Sequence, residues 1–149
     1  MNKPKVMPPS YFLIGLLAIP LLHFLLPLWK IVPAPWNLIG IVFILIGLYL
    51  ELAADGAFHR AGTTVTPYDE SQALITQGVF RFSRNPMYLG FALLLFGAAG
   101  LFGTLTPFLV TPVFMILIER RFIQTEEAML EHTFGEAYQE YKKKVRRWV

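Results

Sequence analysis

Cysteine is absent from all 149 residues, which excludes a disulfide framework, a thiolate zinc site and a cysteine nucleophile. Charge is scarce. Only 15% of the residues are Asp, Glu, Lys or Arg, where a soluble domain of this size carries about a quarter. Generic motifs are missing too: no glycine-rich phosphate loop, no HExxH, no GxSxG. The three histidines, His23, His59 and His132, are too dispersed for a metal site. What fills the chain instead is apolar, at 55% hydrophobic with a mean hydropathy of +0.52. That content excludes intrinsic disorder, and the length excludes a large extramembrane domain. Four membrane helices of roughly 20 residues need about 80 apolar positions, close to what is present. The sequence therefore predicts one all-α polytopic membrane domain over residues 1–149.

Four spans are expected near 11–29, 38–58, 87–103 and 105–120. Pro20 and Pro27 lie inside the first run, where a membrane helix tolerates them at the risk of a kink. A basic start before an apolar run also resembles a signal peptide, but the run is long for one and a second span follows at once, so an uncleaved first helix is expected. The fourth run has only twelve residues after Pro107, too few to cross about 30 Å. Either the turn falls earlier, near Gly97–Gly103, or the pair forms a short buried hairpin. Net charge is +3, too small to imply nucleic-acid binding. Four spans put every basic residue except Lys30 on one side, from Lys3 and Lys5 to Arg147. The positive-inside bias makes that side cytoplasmic, with both termini there, in the inner membrane if the cell is bacterial. The closing Lys142–Lys144 and Arg146–Arg147 run reads as a solvated anchor against anionic headgroups.

Several polar residues need an account. Glu51 and Asp55 share a helix face near the end of the second span, where they either snorkel into water or face a site. His23, among leucines, is expected to hydrogen-bond a neighbouring helix. Gly97, Gly100 and Gly103 allow close helix contact, either within the chain or across a homodimer. Residues 60–85 form the one long polar connection, and a structureless loop of that length is usually functional. Beyond Ile118, Glu126, Glu127, Leu130, Phe134, Tyr138 and Tyr141 recur at helical spacing, predicting a C-terminal cytosolic helix. The proline that opens the third span pre-organises a helix start, where the free N–H groups of the first turn suit an anion, and the paired acids offer a site for a cation.

Gly78-Val79-Phe80, Arg84-Asn85-Pro86-Met87-Tyr88-Leu89-Gly90, Glu126-Glu127 and Phe134-Gly135-x-x-Tyr138-x-x-Tyr141-x-x-x-Val145 together resemble the isoprenylcysteine carboxyl methyltransferase family. That family is related to the membrane phospholipid N-methyltransferases. The resemblance covers roughly residue 62 to the C-terminus and implies a membrane enzyme that uses S-adenosylmethionine without a Rossmann domain. The cofactor would lie between segments 62–90 and 119–148. By position, Gln72, Ala73, Leu74 and Ile75 match the stretch that lines it. Phe80 stands where tyrosine is common, and Pro86, Met87 and Tyr88 belong to a His-Pro-x-Tyr element. Asn85 replaces the histidine, which keeps a hydrogen-bonding group without a titratable proton. Glu126 matches the acid that holds the cofactor. Family members hold an anionic substrate with an arginine just before the acid pair; the ungapped position here is Phe122, preceded by Arg120 and Arg121, so Arg121 joins Asn85 as a catalytic candidate. The acceptor would be a small lipophilic or lipid-like molecule that enters from the bilayer. A sterol-reductase-type enzyme using NADPH and a non-catalytic membrane scaffold are the alternatives.

Overall fold

A computed structural model describes residues 6–63 and 72–149. Lys3, Lys5 and the middle of the long connection, including Pro67, lie outside the described residues. Among those described no strand forms, and the regular structure is helical. Helix α1, Pro8–Leu25, opens with prolines in its first turn, where the missing N–H would have no partner anyway. It stops short of the expected residue 29 because Pro27 disfavours helical geometry at Leu26, which turns to φ −141. Helix α2, Ile39–Ala61, is closed by Gly62 in the left-handed conformation. Helix α3, Pro86–Phe102, is closed the same way by Gly103.

The turn after α3 falls at Gly103–Thr104, the earlier of the two expected places. Helix α4, Leu105–Phe108, is followed after one residue by α5, Val110–Ile118. The break between them follows from Pro112, which has no N–H and whose ring crowds the carbonyl four residues back. A single π turn, Glu119–Ile123, carries α5 without interruption into α6, Gln124–Phe134. The expected C-terminal helix is therefore two helices. Gly135, at φ 50 and ψ −121, breaks it, and α7, Glu136–Lys144, folds back. Only glycine takes that backbone readily.

Helices α2 and α3 pack antiparallel through glycines. Gly40 meets Gly97 and Gly47 meets Gly90, so the two chains run backbone to backbone. A Cβ at Gly47 would lie 2.7 Å from the Gly90 carbonyl oxygen. Gly97 and Gly100 thus serve contact within the chain, though with α2 and not inside the α3–α4 hairpin. Glu51 rests in the same seam, its Oε1 against Gly90 and without a partner among the described residues. Asp55 points outward and pairs with His59 at 3.5 Å.

One end of the bundle is fastened by the α1–α2 link. Ile31 and Val32 donate to the Gly103 carbonyl at 2.9 and 3.0 Å. His23 Nδ1 and the Thr104 hydroxyl are hydrogen-bonded at 2.8 Å, and the Thr106 hydroxyl donates to the Leu26 carbonyl at 2.7 Å. His23 is thus a structural group. The core on this side gathers Ile19, Leu95, Ala99, Phe114, Ile118 and Phe122. Two helices are long and apolar enough to cross a membrane, Pro8–Leu25 and Trp36–Ala61, the second counted with the short turn before α2. Helix α3 is equally apolar but shorter, at 17 residues. The outward faces are greasy, with Leu17 72% and Phe24 74% exposed, a surface that water alone does not explain.

Candidate active site

The opposite end, where α2 stops and α3 starts, holds the polar groups. Pro86 opens α3 fully buried, and Tyr88 follows one position beyond Met87. The Tyr88 hydroxyl donates to Glu126 Oε1 at 2.6 Å, across 38 residues of chain. Burial pushes the Glu126 carboxyl up to about 6; the bond from Tyr88 works against that shift and the Glu127 charge adds to it. Glu126 and Tyr88, both expected at the cofactor, are thus brought into direct contact.

Leu74, Ile75, Phe80 and Met87 come together as well. They pack in one cluster with Ala54, Tyr138 and Tyr141, so the lining stretch, the start of α3 and the C-terminal helix form a common wall. The Phe80 ring meets Phe58 edge-on at 5.5 Å, and its carbonyl accepts from the Tyr141 hydroxyl at 2.6 Å. Burial pushes the Tyr138 hydroxyl up to about 12 and Tyr141 further, so both stay protonated. Gln72 is exposed, its backbone N–H donating to the Thr63 hydroxyl at 3.0 Å, and Ala73 is half-buried beside it.

Beyond α7, Val145 has an extended backbone, and the residues after it lie across the turn before α3. The Arg84 N–H donates to the Arg146 carbonyl at 3.0 Å. The Ser83 hydroxyl and the Asn85 side-chain amide both donate to the Arg147 carbonyl, at 3.2 and 3.1 Å. Asn85 is therefore a tie between α3 and the tail. The Arg147 guanidinium is held between two acids. Nη1 meets Glu119 at 2.6 Å, while Nη2 and Nε meet Glu127 at 2.6 and 3.1 Å. Glu127 foremost, with Glu119 adding to it, makes the Arg147 guanidinium hold its proton more firmly than usual. Trp148 Nε1 donates to Glu119 at 3.0 Å, and Arg84 Nη2 reaches Glu127 at 3.1 Å.

Arg147 corrects the expectation of a solvated terminal run. Lys142, Lys143, Lys144 and Arg146 are exposed, but Arg147 turns inward. Val145 is buried and Arg146 exposed, while Arg147 and Trp148 both turn in toward Glu119. In the sequence Arg147 looks like its basic neighbours. Arg84 and Glu127 were visible inside the motifs without a role. Arg121 stands on the exposed side of the π turn, and Phe122, at the position where the family has its arginine, is fully buried in the core.

Fold and site together define an apolar helical protein that gathers its polar chemistry at one end of the bundle. The model of a family described as phospholipid methyltransferase matches residues 36–137, and the chain belongs to that family. A protein-S-isoprenylcysteine O-methyltransferase of Schizosaccharomyces pombe is 32% identical over 69% of this chain and 44% of its own length. A probable protein-S-isoprenylcysteine O-methyltransferase of Oryza sativa subsp. indica is 36% identical over 72% of this chain and 57% of its own. An uncharacterized protein of Haemophilus influenzae is 38% identical over 42% of this chain and all of its own length. The chain spans about half the length of the curated methyltransferases it matches. No solved structure matches it.

Proposed function

We propose that the protein is an S-adenosylmethionine-dependent methyltransferase acting on a lipophilic acceptor at the cytosolic edge of a membrane. The contact between Tyr88 and Glu126 carries this reading. It joins the start of α3 to the rod of α5 and α6, bringing together the two motifs that carry the resemblance. The methyl donor supplies an electrophilic carbon on a positively charged sulfur. A nucleophilic atom of the acceptor forms a bond to that carbon as the carbon–sulfur bond breaks, and the sulfur keeps the electron pair as a thioether.

The protein's part is positioning, which for aligned reactants removes roughly 7–11 kcal/mol of barrier. Glu126 accepts hydrogen bonds from the donor's hydroxyl or ammonium groups, and Tyr88 fixes its orientation. Leu74, Ile75, Phe80 and Met87 shield the site from water, with Gln72 and Ala73 at its rim. Asn85 and Pro86 set the start of α3, and Arg121 meets an anionic acceptor group. Burying a nucleophile's charge next to a cation favours a step in which both are neutralised. In this reading α1, α2, α3 and the stretch near 105–120, carried on by the π turn, cross the bilayer, the Gly103 turn lies at the far face, and the acceptor enters between helices.

Binding of S-adenosylhomocysteine to the detergent-solubilised protein, followed by calorimetry or thermal shift, tests this. The expected result is binding by the wild type that Glu126→Ala and Tyr88→Ala weaken at least tenfold, with no protection by NADPH. Absence of binding, or variants that match the wild type, would remove the proposal.

A further inference from the structure

Arg84 holds more hydrogen-bonding capacity than its surroundings use. Its side chain is only 10% exposed, yet of the guanidinium nitrogens Nη2 alone is paired, with Glu127. Nε and Nη1 are buried and have no partner among the described residues. Buried donors on a charged group are rarely left unmade, because the lost hydration is not replaced. Both oxygens of Glu127 are taken up by Arg84 and Arg147, both oxygens of Glu119 by Arg147 and Trp148, and Glu126 is engaged by Tyr88. An anion from outside the chain is what the arrangement lacks.

The position of Arg84 says which anion. Arg84 and Tyr88 lie four residues apart around the start of α3, and they pair with the consecutive acids Glu127 and Glu126. The unpaired N–H groups thus belong to the arginine held by Glu127, the residue next in sequence to the carboxylate assigned to the methyl donor. The donor carries an α-amino acid, whose ammonium suits an acid and whose carboxylate suits an arginine. We infer that Arg84 binds the carboxylate of the donor's amino-acid portion through Nε or Nη1. Arg84 is in this view a ligand-binding residue, with Glu127 and Arg147 holding it in place. The inference rests on the proposed methyl-donor reading.

The test compares S-adenosylhomocysteine with its decarboxylated analogue and with 5′-methylthioadenosine, which lacks the amino acid altogether. Wild-type protein should bind S-adenosylhomocysteine about 10–100-fold more tightly than the decarboxylated analogue, the range for a hydrogen bond to a charged group. Arg84→Gln should erase that difference and leave affinity for 5′-methylthioadenosine unchanged. Arg84→Lys, which keeps the charge beside Glu127, should recover part of it. The wild-type comparison needs no variant and stands even if Arg84→Gln folds poorly. Equal affinity of the wild type for both homocysteine forms would overturn the inference while leaving the donor reading intact. So would a variant that keeps its donor affinity but shows a raised KM for an anionic acceptor, which assigns the anion to the acceptor. Wild-type protein that binds none of the three overturns both.

Discussion

In the proposed reading Glu126 ties stability to function. Its folded form titrates near 6, against an ordinary 4.5, so the native chain holds the proton more tightly than the unfolded one. The stability this confers is complete below pH 4.5 and is lost as pH rises through about 6. Donor binding runs the other way, since the ionised carboxylate is the better acceptor. The ligand-free protein should therefore melt at lower temperature at pH 7 than at pH 5, and Glu126→Gln should flatten that difference. Affinity for S-adenosylhomocysteine should rise over the same interval. Tyr88→Phe removes the bond that favours the charged form, so its binding curve should move to higher pH, weak at pH 6.5 and recovered by pH 8. The lost hydrogen bond should cost about 1 kcal/mol of stability. A wild-type binding profile flat from pH 5 to pH 8 would contradict this role for Glu126. Tyr88 and Glu126 could be picked out in the sequence because a phenol and an acid pair stand where an apolar scaffold needs neither. Arg147 could not, since one inward arginine in a basic run looks like its neighbours until the path of the tail is known.

At the scale of elements, helix identity followed from composition, and the ends followed from proline and glycine. Pro8, Pro86, Gly62 and Gly103 mark starts and stops within a few residues of the expected ones. The π turn and the kink at Gly135 were hidden because both keep the residues around them at helical spacing; they change phase and direction, which a periodicity does not report. Glycine spacing was equally ambiguous, suiting either a homodimer or a neighbour in the chain, and pairing with Gly40 places Gly97 and Gly100 against a neighbour in the chain. Substitutions separate close contact from mere proximity. Gly47→Ala would set a methyl 2.7 Å from the Gly90 carbonyl, overpacking that should cost about 1–3 kcal/mol. Gly100→Ala meets nothing nearer than 3.5 Å, the Gly40 Cα, and should be close to neutral. Thermal unfolding in detergent measures both. Equal destabilisation would show that α2 and α3 do not meet at the Gly47 level.

The whole molecule is a bundle fastened at two ends by different chemistry. At the Gly103 end the fasteners are local and neutral: a histidine to a threonine, a threonine to a carbonyl, and backbone N–H groups to Gly103. At the Pro86 end they are ionic and non-local, with residues 146–148 reaching back to Ser83, Arg84 and Asn85 and across to Glu119 and Glu127. Only the second end touches the groups assigned to the methyl donor, so stability and binding should be separable by location. Thr104→Val breaks the bond to His23 and should lower stability by about 1 kcal/mol with donor affinity unchanged. Removing residues 145–149 leaves Glu127, nearly buried, without Arg147. That loss should cost about 2–4 kcal/mol, reduced from the fully buried case because Arg147 is 32% exposed. It also frees Asn85 and Ser83 from the tail, so affinity for S-adenosylhomocysteine should fall at least tenfold, out of proportion to the change in helix content measured by circular dichroism. Arg147→Lys, which keeps the charge but not the fork that spans Glu119 and Glu127, should fall between the truncation and the wild type. A truncated protein that binds the ligand as well as the full chain would mean that the tail only covers the site and does not hold Asn85 and Arg84 in register for it.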